Sequence, residues 1–286
     1  MGIKTPGVWY RQSGEERERR VAARAIEEMD KFHGQATGVF TGAEYLLGKH
    51  LSGGTELCAV VEYMYSLERL VSILGDPAFA DRLERVAYNA LPATFKPDMW
   101  AYQYDQQANQ VVCDVAQREE WTNGPNANIF GLAPNYGCCT ANMHQGWPKF
   151  ASHLWMRTPD GGLASVAYAP CEVDTTVGDG ESVTVDVNTE LPFGRRVRVT
   201  VDPESPLAFP LRLRIPSFTT GPQLTRPDGE TRHVEPGAYE TVTREWEPSD
   251  TVELALPPEL EAQRQFQGAV ALRRGPLVYS LAIKDQ

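Results

Sequence analysis

The residues in this chain with the most chemistry to offer are its five cysteines, Cys58, Cys113, Cys138, Cys139 and Cys171. An odd number with two adjacent is a poor disulfide framework. Neighbouring Cα atoms lie about 3.8 Å apart, closer than an unstrained bridge favours. Metal binding or thiol chemistry is the better use of Cys138-Cys139. Glu56-Leu57-Cys58 adds a carboxylate and a third thiol, making a four-donor set of the kind that Zn²⁺ takes. Residues i and i+2 point roughly 200° apart on an ideal helix. Glu56 and Cys58 can therefore share an ion only where a helix begins, with Thr55 or Gly54 near its N-cap, and Gly137 lends the second pair backbone freedom. No Cys-x-x-Cys pair occurs, so this is neither a ribbon nor a finger. The same residues admit two blander readings. In one, Cys58 is a small core hydrophobe and Cys138-Cys139 are buried thiols; in the other, the pair is a redox-sensing dithiol that binds no metal.

Glu44 is the second candidate, in the Gly-rich stretch Thr41-Gly-Ala-Glu-Tyr just upstream of Glu56. A carboxyl group in a partly buried sugar pocket can act as a general acid, whereas a Glu in such a loop is otherwise a solvated charge. Glu62 and Glu68 read as ordinary helix charges, paired with Arg69 or Arg82. None of the five histidines forms a His-x-x-x-His spacing, and His144 suits a capping or supporting role. Trp100, Tyr102, Tyr104, Trp121 and Trp147 form either a sugar-stacking surface or aromatic core. Walker, Gly-x-Gly-x-x-Gly and Gly-x-Ser-x-Gly patterns are missing, which removes the enzyme classes built on them.

The elements that must position these residues change character near residue 156. Before it, apolar residues recur at helical spacing. Glu15 to Phe32 carries a stripe of Val21, Ala22, Ala25, Ile26, Met29 and Phe32, closed by His33-Gly34. Thr55 to Leu74 is a stronger helix, stopped by Gly75-Asp76-Pro77, and a third runs from about Pro77 to Ala90. Residues 95–137 read as strand and loop. Asn142 to Met156 reads as a helix with Pro148 kinking it or delaying its start. After 156 the apolar period becomes two, as in Ser182-Val-Thr-Val-Asp-Val and Arg196-Val-Arg-Val-Thr-Val, with turns such as Gly178-Asp-Gly and Pro227-Asp-Gly between. At least six short alternating strands predict an antiparallel β-sandwich. The expected organisation is thus α+β multidomain, with a helical region over 1–155 and a β-sandwich over 156–286.

Composition narrows the partners. The 286 residues are 42% apolar and 23% charged, near globular averages, and 27 basic against 38 acidic side chains give a net charge of −11. An acidic surface repels phosphate backbones, so nucleic acid is not an expected partner, and a neutral sugar is. No run of eighteen apolar residues occurs, so no membrane span is expected. The first residues lack a secretory h-region, and with the odd cysteine count this points to the cytoplasm.

Three stretches carry a family likeness: Gly54-Thr55-Glu56-Leu57-Cys58-Ala59; Gly75-Asp76 with Asp81-Arg82-Leu83-Glu84-Arg85 and Tyr88-Asn89-Ala90; and Gly137-Cys138-Cys139-Thr140-Ala141-Asn142. With the late Arg274-Gly275-Pro276-Leu277-Val278-Tyr279, they resemble glycoside hydrolase family 127, the β-L-arabinofuranosidase family. The resemblance implies an (α/α)₆ barrel followed by β-sandwich domains, and retaining hydrolysis of an arabinofuranoside-containing glycoside by a zinc-bound cysteine. By position it implies that Glu56, Cys58, Cys138 and Cys139 are zinc ligands and that Cys138 is the nucleophile. It further implies Glu44 as acid/base and Tyr104, or Tyr102, as a sugar contact. Only the last helices of such a barrel are expected in 1–155, which reads as an N-terminal truncation. A partial barrel would expose apolar helix faces, fold poorly or associate as a homodimer or with the missing half, and show weak activity. The competing expectation is a non-catalytic carbohydrate-binding or structural protein with a structural zinc.

Overall fold

The computed structural model describes residues 2–108, 110, 113–115, 124–132 and 136–281. Two compact units form, Met1–Ala151 with Glu261–Arg273 and Leu277–Gln286, and Ser152–Leu260 with Arg274–Pro276. The C-terminal segments therefore pack with the helices, although they fall within the 156–286 stretch read as sandwich. Val278 N donates to Asn89 Oδ1 at 2.8 Å, one of the bonds that holds them there.

The first unit is built around helix Leu57–Leu74. Most of its 3.6-residue stripe is buried: Leu57, Val60, Val61, Met64, Leu67, Leu70 and Val71 are all below 5% exposed. Each such side chain contributes about 1.5–3 kcal/mol by leaving water. Gly75 ends the helix in the left-handed region at φ 65° and donates to Val71 O, a conformation that costs glycine little. Helix Glu16–His33 buries Ala22 and Ile26 and leaves Val21 and Phe32 exposed. Its terminal Gly34 is in extended conformation, so positive φ is not why glycine is needed. A Cβ there would sit 2.8 Å from the Asp30 backbone. Helix Pro77–Arg85 begins at Asp76, whose side chain accepts from Ala78 N, and continues through a π-helical turn, Val86–Ala90.

Three helices were not expected as they stand. Thr5–Ser13 precedes the first predicted one, and the predicted helix over 142–156 is instead Gly137–Met143 followed by Gly146–Ser152. Pro148 falls in the first turn of the latter, where its missing N–H breaks no intrahelical bond. Trp155–Arg157 is already a strand.

The second unit holds two sheets. The six-stranded one runs Thr231–His233, Gln223–Thr225, Asp250–Ala255, Arg196–Pro203, Glu181–Thr189, Cys171–Val177. The other runs Ala238–Trp246, Leu207–Ile215, Leu163–Ser165, Trp155–Arg157. Alternation places Val183, Val185, Val187, Val197, Val199 and Val201 inside, and a one-residue slip would turn all of them outward. The pairing departs from the antiparallel expectation once, because Leu163–Ser165 runs parallel to Leu207–Ile215. Between those strands the chain lays down three strands of the other sheet, and so long a connection permits a parallel return. No described helix is long and apolar enough to cross a membrane.

Candidate metal centre

Glu56 lies in the two-residue strand Thr55–Glu56, paired antiparallel with Asp105–Gln106, and one peptide later the Leu57–Leu74 helix begins. Glu56 is itself the N-cap residue, with φ −64° and ψ 137°. Because its backbone is extended, the i and i+2 side chains are not forced apart as they would be in mid-helix. Leu57 N donates to Tyr104 O and Glu56 N to Gly42 O, each at 2.9 Å, which pins the junction on both sides. Gly54 lets the paired strand approach, since a Cβ there would lie 2.6 Å from Asp105 Cγ.

Cys138 and Cys139 occupy the first turn of helix Gly137–Met143. Gly137 has an ordinary φ and open space around it, so helix geometry orients the pair and glycine freedom does not. The fold brings the two segments together: one donor atom each from Glu56, Cys58, Cys138 and Cys139 lie within 4.8 Å of one another. Cys58 Sγ is 3.4 Å from Cys139 Sγ, and Cys138 Sγ is 4.0 Å from both Cys139 Sγ and Glu56 Oε1. A tetrahedron of Zn–S bonds of about 2.3 Å has edges of about 3.8 Å, so these donors fit one tetrahedral ion. Cys58 and Cys139 are buried at 3% and 0% exposure, whereas Cys138 is exposed. Glu56, the fourth donor, is half-buried.

Without a cation, two of the thiols, Cys58 and Cys138, hold their protons more tightly than free thiols do. The Cys58 thiol is pushed far above the usual thiol range by its contact with Cys139, by burial and by Glu56. Burial, then Cys58, raises Cys138. Would-be anions packed this closely need a positive charge to ionise together, and a divalent metal supplies it.

A second layer holds the donors. Tyr104 OH donates to Glu56 Oε2 at 3.2 Å, and its ring stacks on Tyr136 with centroids 3.8 Å apart. Tyr102 OH pairs with Thr140 Oγ1, one residue past Cys139. Tyr104 and Tyr102 are 0% and 2% exposed, so neither presents a ring face to a ligand. Glu44 is exposed, with the left-handed φ of 72°. It sits on a loop tied to the centre through Gly42, whose N–H bonds Gly54 O at 2.9 Å. A cavity of about 580 Å³ is lined by Phe40, Glu44, Leu46, Glu56, Cys58 and Tyr63, so the expected acid faces the same space as two of the donors.

Other candidates fall elsewhere. His144 caps the C-terminal end of the cysteine helix, Trp147 packs edge-on against Phe150, Trp100 is exposed, and Trp121 lies outside the described residues. Glu62 pairs with Lys4, and Arg82 pairs with Asp30. Glu68, read as an ordinary charge, is fully buried, and burial raises its carboxyl to about 7. Tyr136 and Asp105 were not foreseen; an aromatic directly before Gly137-Cys138 was the available signal for the first.

Comparison with known proteins decides the family. Residues 6–152 match the β-L-arabinofuranosidase GH127 catalytic domain, and residues 162–258 match the GH127 middle domain. The chain belongs to glycoside hydrolase family 127. No curated protein sequence gives a match. Among solved structures, a GH127 β-L-arabinofuranosidase from Geobacillus stearothermophilus T6 superposes with TM-score 0.82 at 24% identity, over 96% of this chain and 45% of its own. A structure described as a glycoside hydrolase gives 0.81 at 20%, over 96% and 50%. A GH127 β-arabinofuranosidase gives 0.73 at 19%, over 96% and 46%. At these identities the likeness is one of fold, and this GH127 chain spans about half the length of those structures.

Proposed function

We propose that this chain carries the thiolate chemistry of a retaining glycosidase acting on β-L-arabinofuranosides, with Glu56, Cys58, Cys138 and Cys139 as ligands to Zn²⁺. The reading treats the helices as part of an (α/α)₆ barrel and the two sheets as a sandwich. One observation carries it: of the three clustered cysteines, Cys138 is the exposed one, while Cys58 and Cys139 are buried. Bound zinc keeps the coordinating sulfurs deprotonated near neutral pH.

The steps belong to this chain's side chains. Cys138 Sγ forms a bond to the anomeric carbon while the glycosidic C–O bond breaks and Glu44 gives its proton to the leaving oxygen. A thioglycosyl link to Cys138 results. Glu44, now a carboxylate, takes a proton from water as that water attacks the same carbon and the C–S bond breaks. This is double displacement with net retention, sulfur standing where a carboxylate nucleophile is usual. Three thiolates and a carboxylate leave a zinc site at −2, which damps the nucleophile; the Tyr104 hydroxyl on Glu56 takes up part of that charge. Tyr104 and Tyr102 act here as positioning residues and not as stacking faces. Three thiolate ligands, with Cys113 and Cys171 unbridged, suit the reducing cytoplasm.

The test is a Cys138→Ser variant assayed for zinc content, arabinofuranoside hydrolysis and ligand binding. The proposal expects turnover to vanish while folding and sugar binding persist. Unchanged hydrolysis in the folded variant would overturn it. If the wild-type chain binds zinc and sugar but never turns over, the structural-zinc reading stands instead.

A further inference from the structure

The six-stranded sheet carries a second candidate site that the hydrolytic reading does not use. Strands Glu181–Thr189 and Arg196–Pro203 pair as a hairpin, with Asn188 opposite Arg198. Arg196 and Arg198 alternate with buried Val197 and Val199, so both point away from the core. With Arg195 and Arg274 they line a cleft of about 630 Å³, inside the roughly 300–1,000 Å³ range of ligand sites. Four guanidinium groups in one cleft are notable in a chain of net charge −11. Among the described residues, Arg198 is held by Glu253 through Nε at 2.8 Å and Nη2 at 2.5 Å, while Arg195 and Arg196 have no ion-pair partner.

Phe193 stands in the same cleft at 74% exposure. The loop carrying it is tied down. Phe193 N and Gly194 N both donate to Glu190 O, Thr189 Oγ1 donates to Arg196 O at 2.6 Å, and Arg274 Nη1 donates to Phe193 O at 3.1 Å. Gly194 is needed for this fold, since a Cβ would meet Glu190 Cβ at 2.7 Å. An exposed aromatic ring is thus held in place beside uncommitted guanidiniums.

We propose that this cleft is a binding site for carboxylate-bearing sugars, that is, an oligosaccharide containing uronic acid residues. Guanidinium forks match carboxylates bidentately, and Phe193 offers a flat apolar surface to a sugar ring. Glu190 and Glu253 in the same cleft accept hydrogen bonds from hydroxyls and repel a continuous polyanion. A ligand with sparse negative charge and many hydroxyls answers that mixture, whereas a nucleic acid backbone does not.

The test is calorimetric or NMR titration of the whole chain with trigalacturonate and with its carboxyl-reduced, neutral counterpart. Trigalacturonate is expected to bind and the neutral sugar not to. An Arg195→Ala/Arg196→Ala variant should weaken binding at least about tenfold, and Phe193→Ala by about fivefold or more. All three positions are exposed, so melting temperatures should stay within about 2 °C of wild type. Cys138→Ser should bind trigalacturonate as wild type does, which separates this site from the metal centre. The proposal fails if trigalacturonate does not bind, if the neutral sugar binds equally, if the folded variants bind unchanged, or if short single-stranded DNA binds more tightly.

Discussion

Tyr104→Phe removes one oxygen from the layer behind the metal centre. The ring is fully buried and stacked on Tyr136 at 3.8 Å, and phenylalanine keeps that stack. What goes is the 3.2 Å bond from the hydroxyl to Glu56 Oε2. A hydrogen bond to a charged group contributes about 1.5–3 kcal/mol. Glu56 is only half-buried, so water partly replaces the lost donor and the lower end applies. About 1.4 kcal/mol is a factor of about ten in a binding constant. That agrees with the about 10–100-fold loss typical when a ligand's supporting group is removed. Competition against a chromophoric zinc chelator at neutral pH should therefore show Kd rising about tenfold. The metal-free variant should melt within about 2 °C of metal-free wild type. A folded Tyr104→Phe protein with zinc affinity within about twofold of wild type would refute the reasoning, because Glu56 would then not depend on this bond.

Further outcomes follow from the same geometry. Gly54→Ala places a Cβ against Asp105 Cγ and should cost about 1–3 kcal/mol, read in denaturant melts, with a matching loss of zinc as the Glu56 strand shifts. For Cys58 and Cys138, thiols whose folded pKa is raised, stability in the metal-free form is fully present below the ordinary thiol value of 9.0 and is lost as pH rises past it. Metal-free protein should thus lose melting temperature from about pH 9 upward, while the zinc-loaded form, already deprotonated, does not. Glu68, raised to about 7 by burial, contributes stability that is full below 4.5 and is lost through about pH 7. Glu68→Gln should flatten that loss, which is on the order of 3 kcal/mol, in melts compared at pH values either side of that range.

How much of this could be read from residues alone varied by element, for physical reasons. Helix Leu57–Leu74 was legible because eighteen residues keep one apolar stripe and end in a Gly that takes a positive φ. The strands of the second unit were legible because valines alternate with Thr, Asp and Arg over six to nine residues. Helix Thr5–Ser13 carries a weak stripe and only Gly7 buried, so it left little pattern to find. The Gly137–Met143 helix was misplaced because its start at two cysteines has no capping side chain to announce it. The parallel pairing of Leu163–Ser165 depends on which strand returns beside it, and local alternation holds no such information. At the metal centre the four donors were legible by residue type, but the burial that leaves Cys138 open and closes Cys58 and Cys139 is a tertiary property. So is the use of the Tyr104 and Tyr102 hydroxyls on Glu56 and Thr140.

Zinc K-edge absorption spectroscopy on the purified chain, with metal stoichiometry from the same sample, bears most directly on the account. It predicts one zinc per chain, coordinated by three sulfurs at about 2.3 Å and one oxygen at about 2.0–2.2 Å. A chain that folds yet carries no zinc, or a spectrum with fewer than three sulfurs, would contradict it.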